Sequence, residues 1–323
     1  MLAWLAKQYV ITKIKAVIAR KIVKRMQRKY NLGSQYKQSF TMSHDVDWQE
    51  IRKYAELAKL AYAKSSQEII RAYPNQAYIN EINKIRYFLL TDRKEKTYTI
   101  SIRGTNNMKN AMQDIKFDKD RSTRLGCKLH SGFHGVAEKI FDDLKRLMKD
   151  PEYIINITGH SLGGAEAVIV GAYCVGAGLT LNKIVTFGQP KVFDRDGVHK
   201  WKRLPLTRVV NETDVVPLVP PVELLYMFKR YRHFGKMVKL CNDDYYCFLE
   251  PEQASGMGVN SFWLNTAKED FSFLDIAKEL PDHYMDNYIE NIEPKLNKGG
   301  KEILWKDREA YLEEKENAKN LKT

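Results

Sequence analysis

Six consecutive residues, Gly159-His160-Ser161-Leu162-Gly163-Gly164, have the types and spacing needed to raise a serine hydroxyl on a tight bend. Residues 153–158 ahead of them form an apolar, strand-like run, and a helix rich in small residues opens just behind. A strand that passes directly into a helix strains the residue between them. The positions two before and two after it must lack bulk, a need met by Gly159 and Gly163. This is the pattern of a nucleophile elbow, and its chemistry is acyl transfer. Ser161 would attack a carbonyl, and the backbone N–H of Leu162 would donate to the oxyanion that forms.

A serine hydroxyl is a weak nucleophile near neutral pH, so an imidazole must take its proton and a carboxylate must orient that imidazole. With this elbow the partners follow in the order serine, acid, histidine. The acids after Ser161 include Asp194, Asp196, Asp214, Asp243 and Asp244. Asp214 is favoured because it follows the strand-like run 206–210, at a carboxyl end where ligand-facing side chains gather; Glu212 is its nearest rival. Order narrows the base to His233 or His283. His233 leads into the strand-like run 236–240, where a structural histidine is the default, whereas His283 lies in a loop opening onto a helix. The run 97–102 ends at Arg103-Gly104-Thr105, which makes Thr105 a candidate second oxyanion donor, although a plain turn explains Gly104 equally well. His130 and His134 have metal-like spacing, but no acid lies between them and no third ligand stands out, so no metal site is expected. Acyl transfer of this kind needs no cofactor.

The elements that must position these groups alternate along the chain. Residues 48–63 have helical periodicity, 85–90 and 97–102 resemble paired strands, and 132–148 a helix. The strand at 153–158, the helix at 162–175 and strands at 184–187 and 206–210 continue the pattern. Apolar strands alternating with helices predict an α/β fold: a mostly parallel central sheet with helices on both faces.

With 323 residues and 44% hydrophobic content, the chain can bury a sizeable core. Its net charge of +13 is concentrated at the start, where ten Lys and Arg residues precede the first acid, Asp45. Ile11, Ile14, Ile18 and Ile22 recur at spacings of three and four, with Lys13, Arg20 and Lys24 opposite, so residues 1–30 read as a basic amphipathic helix. With Trp4 as interfacial anchor and Lys21 and Arg25 adding charge, such a helix suits an anionic membrane surface. A helix docked on its own domain and an organelle-targeting peptide remain alternatives. Nucleic acid is not expected, since no recognised module accompanies the basic run. No apolar run reaches membrane-span length, and charges interrupt every candidate signal-peptide core. The expectation is therefore a peripheral membrane-associated protein, either cytoplasmic or exported without a conventional signal peptide. Cys127, Cys174, Cys241 and Cys247 are too sparse for a disulfide scaffold; in an exported protein Cys241 and Cys247 would be spaced for a hairpin disulfide. Three parts follow: a basic segment 1–44, an enzyme-like domain 45–295, and a charged, helical, solvated tail 296–323.

Taken in order, several motifs resemble the class 3 lipase family, the α/β hydrolases that include secreted fungal triacylglycerol lipases. They are Ile102-Arg103-Gly104-Thr105, Leu129-His130-Ser131-Gly132-Phe133, the elbow, Val185-Thr186-Phe187-Gly188-Gln189-Pro190, Val209-Val210-Asn211 through Asp214-Val215-Val216-Pro217, and His283 before Met285-Asp286-Asn287-Tyr288-Ile289. The resemblance covers roughly residues 85–292. It implies Ser161 as nucleophile, Asp214 as orienting acid, His283 rather than His233 as base, and Thr105 with Leu162 as oxyanion donors. It also implies a lid helix over 106–113 with Met108, Ala111 and Met112 on its lipid-facing side, and Asp114 bracing Thr105. The small Ala111 stands where the fungal enzymes carry a lid tryptophan, which argues against strong interfacial activation. The activity implied is glycerolipid ester hydrolysis through an acyl-enzyme, with phospholipids preferred because of the basic segment. The rivals are an inactive membrane-binding or scaffolding protein on a hydrolase fold, and an acyltransferase.

Overall fold

The computed structural model describes residues 44–105, 119–211, 214, 216–218, 231–251 and 280–305. In chain order the elements are α1 (Trp48–Leu60), α2 (Ser66–Ala72), β1 (Ala77–Ile82), β2 (Ile85–Asp92), β3 (Thr97–Ile102), β4 (Lys119–Ser122), β5 (Cys127–His130) and α3 (Ser131–Lys145). They continue with β6 (Ile154–His160), α4 (Leu162–Gly176), β7 (Leu181–Phe187), α5 (Arg195–Trp201), β8 (Leu206–Asn211), β9 (Lys236–Leu240), β10 (Tyr245–Leu249), α6 (Met285–Lys298) and β11 (Lys301–Glu302).

Nine strands form one sheet in the order β1-β2-β3-β6-β7-β8-β9-β10-β11. The centre, from β3 to β9, is parallel, the pairs β1–β2, β2–β3 and β9–β10 are antiparallel, and β10–β11 is parallel. Strand periodicity splits the apolar residues between two faces. On β2, Tyr87 and Leu89 join the core shared with α3 and α4, whereas Phe88 and Leu90 join the core under α1 and α6. The helix α4, apolar on all sides except for Glu166, is buried along most of its length, as that composition requires.

The second face carries polar ties. Ser101 Oγ on β3 donates to Leu57 O over 2.9 Å, so a buried hydroxyl anchors α1 to the central strands, while Thr158 Oγ1 on β6 donates to Val185 O over 2.8 Å with Tyr54 O of α1 at 3.3 Å. Each such bond is worth about 1 kcal/mol, and burying it unmade would cost more. The sheet thus holds its central carboxyl ends, where β3, β6, β7 and β8 stop, in one rigid row.

Several elements go beyond the sequence reading, among them α2, β4, α5 and β10. An edge strand, β1, precedes the β2–β3 pair; its apolar residues Ala77, Tyr78, Ile79 and Ile82 do not alternate with polar ones, so the strand period is hard to detect. After Gly299-Gly300 the chain does not leave as a solvated helix. Lys301 and Glu302 pair in parallel with Tyr245 and Tyr246, Ile303 is buried, and Glu302 accepts from the His44 backbone N–H over 2.7 Å. Two consecutive glycines ahead of a two-residue strand carry no periodicity to read. No helix among the described residues is long and apolar enough to cross a membrane. Trp4, the basic residues Lys13, Arg20, Lys21, Lys24 and Arg25, and the lid positions Met108, Ala111 and Met112 lie outside the described residues, as does Asp114.

Candidate active site

Ser161 sits between the end of β6 and the start of α4 with φ 58° and ψ −128°, a conformation rare for a residue with a side chain. Holding it costs about 1–3 kcal/mol, which the surroundings must supply. Its N–H donates to Phe187 O at the end of β7 over 2.9 Å, and its carbonyl accepts the first turn of α4. Gly163 packs so closely on the end of β3 that a Cβ would strike Ile102 O, and one on Gly159 would strike Gly163 O. The space the sequence reading required is therefore occupied by backbone. The first N–H groups of α4 have no acceptor within the helix, which turns the Leu162 end of that helix toward any negative charge formed at Ser161.

Asp214 lies three residues beyond β8, fully buried, with its own N–H donating to Asn211 O. Its carboxylate is saturated with donors. His283 Nδ1–H donates to Oδ2 over 2.8 Å, Tyr288 Oη donates to the same oxygen over 2.5 Å, and Val216 N donates to Oδ1 over 2.9 Å. Burial pushes the carboxyl pKa up, but the charge of His283 and these three bonds outweigh it and hold Asp214 below the ordinary value.

His283 ends a short 3-10 turn, Leu280–His283, just ahead of α6. With Nδ1 given to Asp214, its Nε2 is buried and has no hydrogen-bond partner. Asn211 locks this turn to β8: its Nδ2 donates to Asp282 O, its N donates to Tyr288 Oη, and its Oδ1 accepts from Asn291. Gly188, at φ +57°, leaves the gap into which the pair fits. A Cβ there would lie 2.6 Å from His283 Cε1 and 2.7 Å from Asp214 Oδ2. Because Gly188 follows Phe187, which holds Ser161 N, the residues at 161, 214 and 283 converge at the carboxyl edge of β6, β7 and β8.

Thr105 follows β3 in the adjoining position and is half-buried. His160 is buried, and its ring lies 4.5 Å from that of His283, tilted by 36°. Burial and the neighbouring His283 pull its pKa down to about 3, so it is neutral. His160 Nε2–H donates to His283 O over 2.6 Å, its Nδ1 accepts from Tyr62 Oη over 2.7 Å, and Tyr62 Oη accepts from Gly104 N over 3.0 Å.

The rejected histidines are engaged elsewhere. His233 Nε2–H donates to Pro217 O over 2.6 Å. His130 Nδ1 caps α3 by accepting from Gly132 N, and His134 bridges Asp120 and Tyr173. Asp194 caps α5 through Gly197 N, and Asp244 pairs with Lys301. Cys241 and Cys247 are not joined in a disulfide; their sulfurs lie 3.9 Å apart. Sequence reasoning gave no role to Tyr62 or Tyr288. An aromatic residue on a helical stripe reads as core, and only the hydroxyl partners distinguish these two.

The sheet, the elbow and the convergence at its carboxyl edge define an α/β hydrolase. The class 3 lipase model matches residues 99–224, and this part of the chain is similar to that family. Lipase from Rhizopus niveus is 30% identical over 197 residues, 54% of this chain and 50% of the relative, so the chain spans about half the length of that curated relative. Phospholipase A1-II 4 of Oryza sativa is 41% identical over 98 residues, 27% of this chain and 25% of the relative. Among solved structures, lipase from Rhizopus microsporus var. chinensis is similar with a TM-score of 0.57 and 25% identity, covering 68% of this chain and 85% of that one.

Proposed function

We propose that the protein is a carboxylic ester hydrolase acting on acyl esters of glycerolipids. The observation that carries this reading is the pairing of His283 Nδ1 with the buried Asp214 carboxylate while Nε2 is left without a partner, beside a serine held on a strained elbow. Ser161 Oγ attacks the ester carbonyl and His283 Nε2 takes its proton. The carboxylate of Asp214 fixes the tautomer and stabilises the imidazolium without itself being protonated. The oxyanion is met by the N–H of Leu162 and by Thr105. His283 returns the proton to the leaving alcohol, and water then releases the acyl group by the same path in reverse. The printed names of the relatives, a fungal lipase and a plant phospholipase A1, support this substrate class.

Phospholipids are the preferred substrates on this reading. The basic segment 1–44 supports that preference, since clustered Lys and Arg gain about 1 kcal/mol each near an anionic surface. The protein is accordingly proposed to work as a peripheral membrane enzyme. The deciding experiment is labelling with a fluorophosphonate, alongside hydrolysis of a soluble short-chain ester. Wild type is expected to react and turn over, and Ser161→Ala to do neither. Absence of labelling in folded wild-type protein would favour a non-catalytic scaffold instead.

A further inference from the structure

We infer that Tyr62 is a positioning residue for ester turnover, acting through His160 to set the oxyanion-side backbone and the His283 turn in fixed relation to each other. The inference rests on the hydrolase reading above and assigns to that site a residue outside the serine, acid and histidine set. Tyr62 stands just past the end of α1, where its N–H bonds to Lys59 O, and α1 is itself tied to β3 by Ser101 Oγ, which donates to Leu57 O. From this anchored position its hydroxyl reaches two segments at once, accepting from Gly104 N over 3.0 Å and donating to His160 Nδ1 over 2.7 Å.

The direction of this chain of bonds is forced. The carbonyl of His283 can only accept, so His160 must carry its proton on Nε2, which donates over 2.6 Å. Neutral His160 then offers a lone pair at Nδ1, and the single proton of Tyr62 must go there. The Tyr62 lone pair is left facing Gly104, whose N–H fills it. Three bonds therefore run in one sense from the β3 end, through the residue immediately before Ser161, to the backbone of the proposed base.

The approach at the first link is too close for any side chain on residue 104. A Cβ there would fall 2.6 Å from Tyr62 Oη, 2.7 Å from His160 O and 3.0 Å from Ser161 Cβ. With its N–H held by Tyr62, the Arg103–Gly104 peptide cannot rotate freely, and Gly104, the residue before Thr105, is fixed close against Ser161. Oxyanion donors and a general base act only when placed to within about half an ångström, and a misplacement of about 1 Å costs about a hundredfold in rate. A tyrosine filling core space would require only its ring. Here the ring packs against the second core and the hydroxyl spans the two halves of the reacting geometry.

Tyr62→Phe in the full-length chain keeps the ring and removes the link. The assay uses a soluble short-chain ester and a trifluoromethyl ketone, whose tetrahedral adduct mimics the oxyanion. Expected are a fall in kcat of about 10- to 100-fold, a KM changed by less than about threefold, and a parallel loss of affinity for the ketone. His160→Gln, which retains an acceptor and a donor, should keep more activity than His160→Leu. Ketone affinity in folded Tyr62→Phe within about threefold of wild type overturns the inference, whatever the thermal midpoint does. Equal activity of His160→Gln and His160→Leu overturns it as well. Wild type that neither hydrolyses the ester nor binds the ketone removes the hydrolase reading itself, and this inference falls with it. An active wild type with an unaffected Tyr62→Phe removes this inference alone.

Discussion

Tyr288 donates its hydroxyl proton to Asp214 Oδ2, the same oxygen that accepts from His283, so one carboxylate oxygen on the β8 loop is shared by the first turns of α6 and the residue that precedes them. Tyr288 also accepts from Asn211 N, which fastens the end of β8 to α6.

Tyr288→Phe should therefore weaken both the acid and its frame. A buried N–H left without an acceptor and a lost charge-assisted bond together predict destabilisation of about 1–3 kcal/mol and a several-fold fall in kcat. The pH dependence follows from sign. Asp214 is depressed in the folded protein, so its contribution is present above the unfolded carboxylate value and is lost as pH falls through the folded one. Removing one of the depressing bonds shrinks that contribution, and acid unfolding should begin at a higher pH than in wild type. Thermal midpoints of both proteins, followed from about pH 7 to about pH 3, measure this. Coincident acid profiles would contradict it.

Glu166 carries the opposite sign. It is the one charged residue type in α4, it is fully buried, and its Oε2 has no hydrogen-bond partner, so burial raises its pKa well above the ordinary value. A raised acid costs nothing below the unfolded pKa, where both states are protonated. Stability is lost as pH rises toward the folded value, because the unfolded chain releases a proton that the folded one keeps. Glu166→Gln should match wild type at about pH 4, below the unfolded value of 4.5, and exceed it by about 1–3 kcal/mol at about pH 9. Denaturant unfolding at the two pH values tests this; a gain that is constant or widens toward acid pH would rule out the titration.

The elbow was legible because its constraint is local: only a strand followed at once by a helix, with glycines at two fixed positions, puts Ser161 at positive φ. Asp214 was legible for a related reason, since a strand end can be read from 206–210 and the loop beyond it holds few acids. The choice between His233 and His283 was not open to local reading, and the resemblance decided it. In physical terms it depends on what each ring touches. His233 spends Nε2 on Pro217 O, whereas His283 spends Nδ1 on Asp214 and keeps Nε2. Tyr62 and Glu302 fall in the same class, as both act through partners distant in sequence, His160 and His44, that no pattern in one chain links.

Lys295, fully buried on α6, donates from Nζ to Cys241 O, Asp243 O and Asn291 O over 2.6–2.8 Å. Two of these acceptors belong to the turn between β9 and β10, so the ammonium pins that hairpin to the helix carrying Tyr288. Lys295→Met keeps much of the stem and removes the three Nζ donations, two of them to the turn. The expected loss is about 2–4 kcal/mol, read by denaturant unfolding, together with faster amide exchange at Tyr245, whose N–H bonds Asn242 O across the turn. Turnover by the folded fraction should persist. Unchanged exchange at Tyr245 would mean the clamp does not hold the turn.

The last prediction separates the basic segment from the chemistry. Ten Lys and Arg residues precede Asp45, whereas the acids that could offset them all lie further on. Attraction to anionic lipid therefore depends on this segment and weakens with salt, as the screening length falls from about 30 Å at 0.01 M to about 8 Å at 0.15 M. Deleting residues 1–30 should leave hydrolysis of a soluble short-chain ester unchanged while lowering activity on anionic phospholipid vesicles by about tenfold or more at low salt. The gap between the two proteins should close as salt is raised, because only the full chain has the attraction to lose. Equal losses on the soluble ester and on vesicles would show that the segment supports the fold of the hydrolase rather than its contact with the surface.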